Sequence, residues 1–153
     1  MPRIFFMFLV VALAACQTGD DGTRLPVSTS AGIAFAGTLL GSERANAGVS
    51  PVTQHPALQA AAQFHADDLA ARSGLSHTGS DGSSMADRIR RAGYQPCFAA
   101  ENVARGQPDI ESVFASWRGS QGHYNNMVNV AARHYGFARS GNSWVLVLAR
   151  PCL

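Results

Sequence analysis

His55, His65, His77, His123 and His134 are the imidazoles of this 153-residue chain, and two of them stand where chemistry is plausible. His77 lies in Ser76-His77-Thr78-Gly79, and His123 in Gln121-Gly122-His123-Tyr124-Asn125-Asn126, both rich in small and polar residues. Glu101-Asn102 falls between them. Two imidazoles and a carboxylate, carried by loops over a rigid scaffold, could bind a divalent cation or transfer protons. Neutral imidazoles suit Zn2+, with Glu101 completing three protein ligands or orienting a bound water. The bland alternatives are that His77 caps a helix end, His123 bonds backbone at a helix start and Glu101 pins its own loop. His65 shares an apolar stripe with Leu58, Ala62 and Leu69, and reads as a hydrogen-bonded structural histidine. His55 and His134 read as surface positions. Ser83 and Ser84 lack anything like a Gly-x-Ser-x-Gly elbow, so no activated nucleophile is visible. All 12 basic residues are arginine, which excludes Schiff-base, P-loop and general-base lysines.

The elements that must position these residues change character along the chain. Phe35, Leu39 and Leu40 have helical spacing within 31–47, and Gly48 is placed to stop that helix. Residues 49–55 read as a loop. Pro56 opens a second helix at a position where its missing N–H is harmless, Leu58 to Arg72 repeat at three and four, and Gly74 ends it. Ser84-Met85-Ala86-Asp87 resembles a capping box for a short third helix that stops at Gly93. Residues 96–106 read as extended or irregular. Asp109 caps a fourth helix carrying Ile110, Val113, Phe114 and the core residue Trp117, and residues 122–128 add one more turn. Tyr135–Arg139 and Trp144–Leu148 then read as strands joined by Ser140-Gly141-Asn142. Helices first and strands last imply an α+β domain with helices packed on an antiparallel sheet.

The chain opens with Met1-Pro2-Arg3, an apolar run from Ile4 to Ala15, and Cys16. This is the pattern of a secretory signal, too short to cross a bilayer of about 30 Å. Leu13-Ala14-Ala15-Cys16 resembles the bacterial lipobox. That resemblance implies a signal peptide over 1–15, a lipidated Cys16 that attaches the protein to a membrane, and a flexible tether over 16–30. Gln17 after the cysteine implies the periplasmic face of the outer membrane. With Cys16 acylated, Cys97 and Cys152 remain as an even pair. A bridge between them would contribute about 3–4 kcal/mol in the chain-entropy model. Two free buried thiols are the alternative, and metal ligation a more remote one. The composition is 46% hydrophobic and 14% charged, which argues against disorder, and the scattered net charge of +2 gives no nucleic-acid patch.

Several ordered motifs lie within the domain expected over residues 31–153, and the likeness they carry covers roughly Leu39 to Ala149. They are Ala62-x-x-His65-Ala66-x-Asp68-Leu69-Ala70, Ser76-His77, Gly93-Tyr94 and Glu101-Asn102-Val103-Ala104. After them come Trp117-x-x-Ser120-x-Gly122-His123-x-x-Asn126-Met127 and Gly136-Phe137-Ala138. Together they resemble the CAP superfamily of cysteine-rich secretory, antigen-five and pathogenesis-related proteins, in its compact bacterial form. The resemblance implies an α-β-α sandwich with a small antiparallel sheet between helices and a cleft holding His77, Glu101 and His123. Ser120 takes the place of the second glutamate of eukaryotic members, so the acidic set is incomplete. Asn126 reads as holding the loop. His123-Tyr124-Asn125-Asn126 is a relaxed form of the family's His-Tyr-Thr-Gln.

Three functions are compatible with these features. The first is an exported, monomeric binding module for a divalent metal, or for a small, lipid-like, sterol-like or cell-envelope ligand. The second is a structural envelope lipoprotein. The third is a metal-assisted hydrolase of peptide or envelope material, with Glu101 and His123 as catalytic candidates. The incomplete acidic set favours binding over turnover, and a shared scaffold does not by itself give an activity.

Overall fold

A computed structural model describes residues 29–152. The expected signal peptide, Cys16 and nearly all of the expected tether lie outside the described residues. Among the described residues five helices surround a four-stranded sheet: α1 (Ser30–Asn46), β1 (Thr53–Gln54), α2 (Pro56–Ala70), α3 (Met85–Arg91), β2 (Pro96–Arg105), α4 (Ile110–Arg118), α5 (Gln121–Met127), β3 (His134–Ser140) and β4 (Ser143–Pro151). Local chemistry sets the helix starts. The Thr29 hydroxyl accepts from the Gly32 amide at the head of α1. Ser84 and Asp87 form a reciprocal capping box on α3, and the Asp109 carboxylate accepts from Ser112 N–H at 2.8 Å on α4.

The strand order is β1-β3-β4-β2. β4 pairs antiparallel with both β3 and β2, so the hairpin and the antiparallel core of the sheet are as expected. One detail differs from the sequence reading. The segment read as a loop over 49–55 contains β1, which pairs parallel with β3 through Thr53↔His134 and Gln54↔Tyr135, making the sheet mixed. Of the two readings of residues 96–106, the extended one holds: Pro96–Arg105 is a ten-residue strand at the edge of the sheet, with a register shift between Pro96 and Phe98.

Strand alternation builds two cores. Trp144, Leu146 and Leu148 of β4 face α1, α4 and α5, where they meet Leu40, Phe114, Trp117 and Met127. Val145, Val147 and Ala149 face α2 and α3, where they meet Leu58, Ala62, Leu69 and Ile89. This α-β-α sandwich explains why β4 is an unbroken apolar run, since both of its faces are covered. Close approach depends on glycine on each side of β3. A Cβ on Gly136 would overlap the Leu58 backbone, and one on Gly37 would overlap the Tyr135 hydroxyl. The Cys97–Cys152 disulfide joins the start of β2 to the residue after β4, across a sequence separation of 55.

Candidate functional site

The register of β2 against β4 decides where its polar pair points. Glu101 pairs with Val147 and Asn102 with Leu146, so Glu101 lies on the α2/α3 face and Asn102 on the opposite one. Both are buried. Each gathers one half of the candidate cleft, and the cleft wraps around the edge of β2.

On the α2/α3 face both oxygens of the Glu101 carboxylate are engaged. One oxygen lies 2.9 Å from His77 Nδ1, and the other accepts from Arg88 Nη2 at 2.8 Å. The Arg88 and Glu101 side chains are 1% and 2% exposed, so this is a buried ion pair. It is held in geometry by Arg88 donating to the carbonyls of Ser83 and His77. A carboxylate only accepts, so His77 Nδ1 carries the hydrogen, and in the neutral ring Nε2 holds the lone pair. The hydrogen bond to Glu101 raises the His77 pKa above its ordinary value, against the opposing effect of burial. His65 completes this side. Its Nε2 lies 2.9 Å from the Ser76 carbonyl and 3.7 Å from Glu101, so it fixes the residue that precedes His77. Burial lowers its pKa, and its Nδ1 has no hydrogen-bond partner among the described residues.

On the other face Asn102 Nδ2 donates to the His123 carbonyl at 3.0 Å. Asn126 Nδ2 donates to Asn102 Oδ1 at 2.9 Å and to the Glu101 carbonyl at 3.3 Å. These bonds hold α5 against β2. Burial lowers the His123 pKa, and the charge of His77 adds to that effect. The two imidazoles, from opposite faces of the sheet, therefore share one electrostatic neighbourhood at the strand edge. Ser120 stands at the N-cap of α5 and makes no capping hydrogen bond.

The structure thus brings His77, Glu101, His123 and Asn126 around β2, with Ser120 at the head of α5. It also places two residues there that the sequence reading left out or treated as structural: Arg88, hidden in a run of arginines, and His65. His55 and His134, read as surface positions, instead meet around Tyr94: the Tyr94 hydroxyl lies 2.8 Å from His134 Nδ1, and the two imidazole centroids are 5.1 Å apart. Among the described residues no group of three or more His, Cys, Asp or Glu side chains is arranged to hold a metal ion. Both Glu101 oxygens already accept one hydrogen bond each. Two imidazoles, one of them oriented by a carboxylate, are too few for a closed structural zinc site and suit only an ion whose remaining positions are taken by water or ligand.

Comparison with known proteins gives a consistent result. The model of the cysteine-rich secretory protein family (CAP) matches residues 39–148. The uncharacterized protein YkwD of Bacillus subtilis (strain 168) is 28% identical over 135 residues, covering 87% of this chain and 52% of its own length. The chain thus spans about half of that relative. Among solved structures, an extracellular SCP-domain protein from Bacillus anthracis superimposes with a TM-score of 0.74 at 19% identity, over 77% of this chain and 40% of that one. An outer surface protein from Borrelia burgdorferi gives 0.72 at 17% identity, over 78% and 92%. At these identities both likenesses speak to fold.

Proposed function

The chain belongs to the cysteine-rich secretory protein (CAP) family, and from that premise we propose that it is an exported binding module whose edge-strand cleft takes a divalent cation such as Zn2+ on His77 Nε2 and His123. The observation that carries the reading is the double commitment of Glu101 to His77 Nδ1 and Arg88. It leaves the carboxylate as the group that aims His77 and sets its tautomer, the usual arrangement behind a metal-bound imidazole. A bound ion would supply a Lewis-acid centre for an oxygen of a small, lipid-like or envelope ligand. The chain's own residues do the rest: Arg88 neutralises Glu101, Asn102 and Asn126 hold the His123 helix, and His65 holds the backbone leading to His77. Calorimetric titration of the protein with Zn2+ tests this. Binding that is lost in both His77→Ala and His123→Ala supports it, and unchanged affinity in either variant rejects the pair.

Export and attachment through Cys16, at the periplasmic face of the outer membrane, belong to the same proposal. A disulfide is at home in an oxidising compartment, and the two structural neighbours are described as extracellular and outer-surface proteins. Labelling with a fatty-acid analogue, lost in Cys16→Ser, checks the anchor.

One observation favours hydrolysis as a second reading. The environments of His77 and His123 push their pKa values apart, up and down respectively, which is how acid and base roles are divided between two groups. Incubation of metal-loaded protein with peptides and peptidoglycan would show products that disappear in Glu101→Gln. Equal product from wild type and variant removes this reading.

A further inference from the structure

The chain that carries His77 crosses from α2 to α3 as a loop, and four of its backbone groups are taken by side chains of that region. A carbonyl only accepts, so His65 Nε2 donates to Ser76 O, at 2.9 Å. Arg88 Nη2 donates to the His77 carbonyl at 3.1 Å. Arg72 Nη2 donates to the Thr78 carbonyl at 2.7 Å. The Ser80 amide donates to the two oxygens of Asp68, at 3.3 and 3.1 Å. Three of these four side chains belong to α2 and its C-terminal turn. Positions 65, 68 and 72 are three and four apart, the spacing that stacks side chains on one helix face. Asp68 and Arg72 also brace each other, with Nη2 3.1 Å from Oδ2. Burial opposes charge on Asp68, but the Ser80 hydrogen bonds and Arg72 hold its pKa below the ordinary value, so it stays an acceptor.

The His77 side chain is 60% exposed, so packing does little to hold it. Its aim depends on the bond from Nδ1 to Glu101 and on the backbone from which it hangs. We infer that Asp68 and Arg72, with His65, are positioning residues of the cleft: one face of α2 grips the chain on both sides of His77 and so keeps its Nδ1 on Glu101. The functional sense of this grip rests on the cation-binding reading above, since it tunes affinity at His77 without supplying a ligand. A side chain held in place beforehand spares the cost of ordering it during binding. The grip is local to this loop. Gln59, earlier on the same helix, bonds both the amide and the carbonyl of Phe137, so it ties α2 to β3 and not to His77.

His65 is fully buried, so replacing it would confound positioning with folding; Asp68 and Arg72, at 12% and 26% exposure, carry the test. Long-range proton–nitrogen NMR of the 15N-labelled protein, at a pH where the ring is neutral, reads the His77 tautomer without any metal. The wild type is expected in the Nδ1–H form, and Asp68→Ala and Arg72→Ala should each give a mixture of the two forms. Calorimetric zinc affinity, measured well below each variant's unfolding midpoint, should fall about two- to tenfold, the range of one net hydrogen bond. Arg72→Lys keeps a donor and should recover most of both readouts. Gln59→Ala loses a tie elsewhere on α2 and should leave both as in the wild type. A wild-type tautomer in both alanine variants, unaltered zinc affinity in both, or the same changes in Gln59→Ala would each overturn the inference. If the wild type takes up no zinc, the cation-binding reading falls and the tautomers alone decide the grip: a mixture in the alanine variants upholds it, and no change removes it.

Discussion

The cleft and the aromatic cluster around Tyr94 each hold a pair of imidazoles, and they differ in what meets Nδ1. In the cleft, the Glu101 carboxylate accepts from His77 Nδ1, so Nε2 of the neutral ring is a base or a ligand. In the cluster, the Ala57 amide donates to His55 Nδ1 and the Tyr94 hydroxyl lies 2.8 Å from His134 Nδ1, so neutral groups stand where the cleft has a carboxylate. The lesson is that the group behind an imidazole, charged in one region and neutral in the other, sets its electrostatic environment. The supports also differ in kind: the cleft is built on a buried ion pair, the cluster on neutral hydrogen bonds and ring packing.

The largest expected effect comes from breaking that ion pair. Arg88→Ala leaves Glu101 buried without its counter-ion and should lower stability by about 3–5 kcal/mol in chemical denaturation, whereas the double variant Arg88→Met/Glu101→Leu should recover most of the loss. A double variant no more stable than the single one would mean that the carboxylate is solvated. Next comes the orienting bond. If the cleft holds zinc as proposed, Glu101→Gln should weaken calorimetric zinc affinity about 10–100-fold, while Tyr94→Phe leaves it unchanged; equal losses would erase the distinction between the two regions. Third, Tyr94→Phe removes one neutral hydrogen bond and should cost about 1 kcal/mol by thermal unfolding. A loss as large as that of Arg88→Ala would show the cluster to be as strong a support as the ion pair.

The smallest effect is in titration. His77 is raised in the fold, so its stabilisation is complete below the ordinary imidazole value of 6.5 and is lost as pH rises through the folded value. His123 is lowered, so its stabilisation is complete above 6.5 and is lost as pH falls toward its folded value. Proton NMR should place the His77 midpoint above that of His123, and Glu101→Gln should bring His77 down. Coincident midpoints in the wild type would remove the electrostatic contrast inside the cleft.

Much of the scaffold is visible in the amino-acid order. Asp109 before an apolar face, Pro56 at a helix head and the Ser140-Gly141-Asn142 turn between apolar strands are local signals, and local signals survive folding. β1 left none, because Thr53 and Gln54 are exposed and polar and pair only through backbone. β2 could be read as extended or irregular because Glu101 and Asn102 interrupt its apolar pattern, although both are buried by partners on opposite faces. Arg88 could be recognised only from its burial against Glu101, since sequence alone makes it one of several arginines on a short helix. His55 and His134 meet because β1 pairs with β3, a long-range contact with no local trace. The motif order pointed to the cleft residues; their division across the two faces needed the register.

That division makes the edge strand intolerant of a shift in phase. Deleting Ala100, upstream of the polar pair, while the downstream pairing holds would leave both side chains on their present faces. Deleting Val103 under the same condition would move Asn102 opposite Val145 and Glu101 opposite Leu146, exchanging carboxylate and carboxamide across the sheet. Glu101 would then confront α5 and Asn102 would confront Arg88. Point changes in β2 can be absorbed one contact at a time, but a frame slip inverts both halves of the cleft at once. Length variation among proteins sharing this architecture should therefore fall in the loops on either side of β2 and avoid the strand itself.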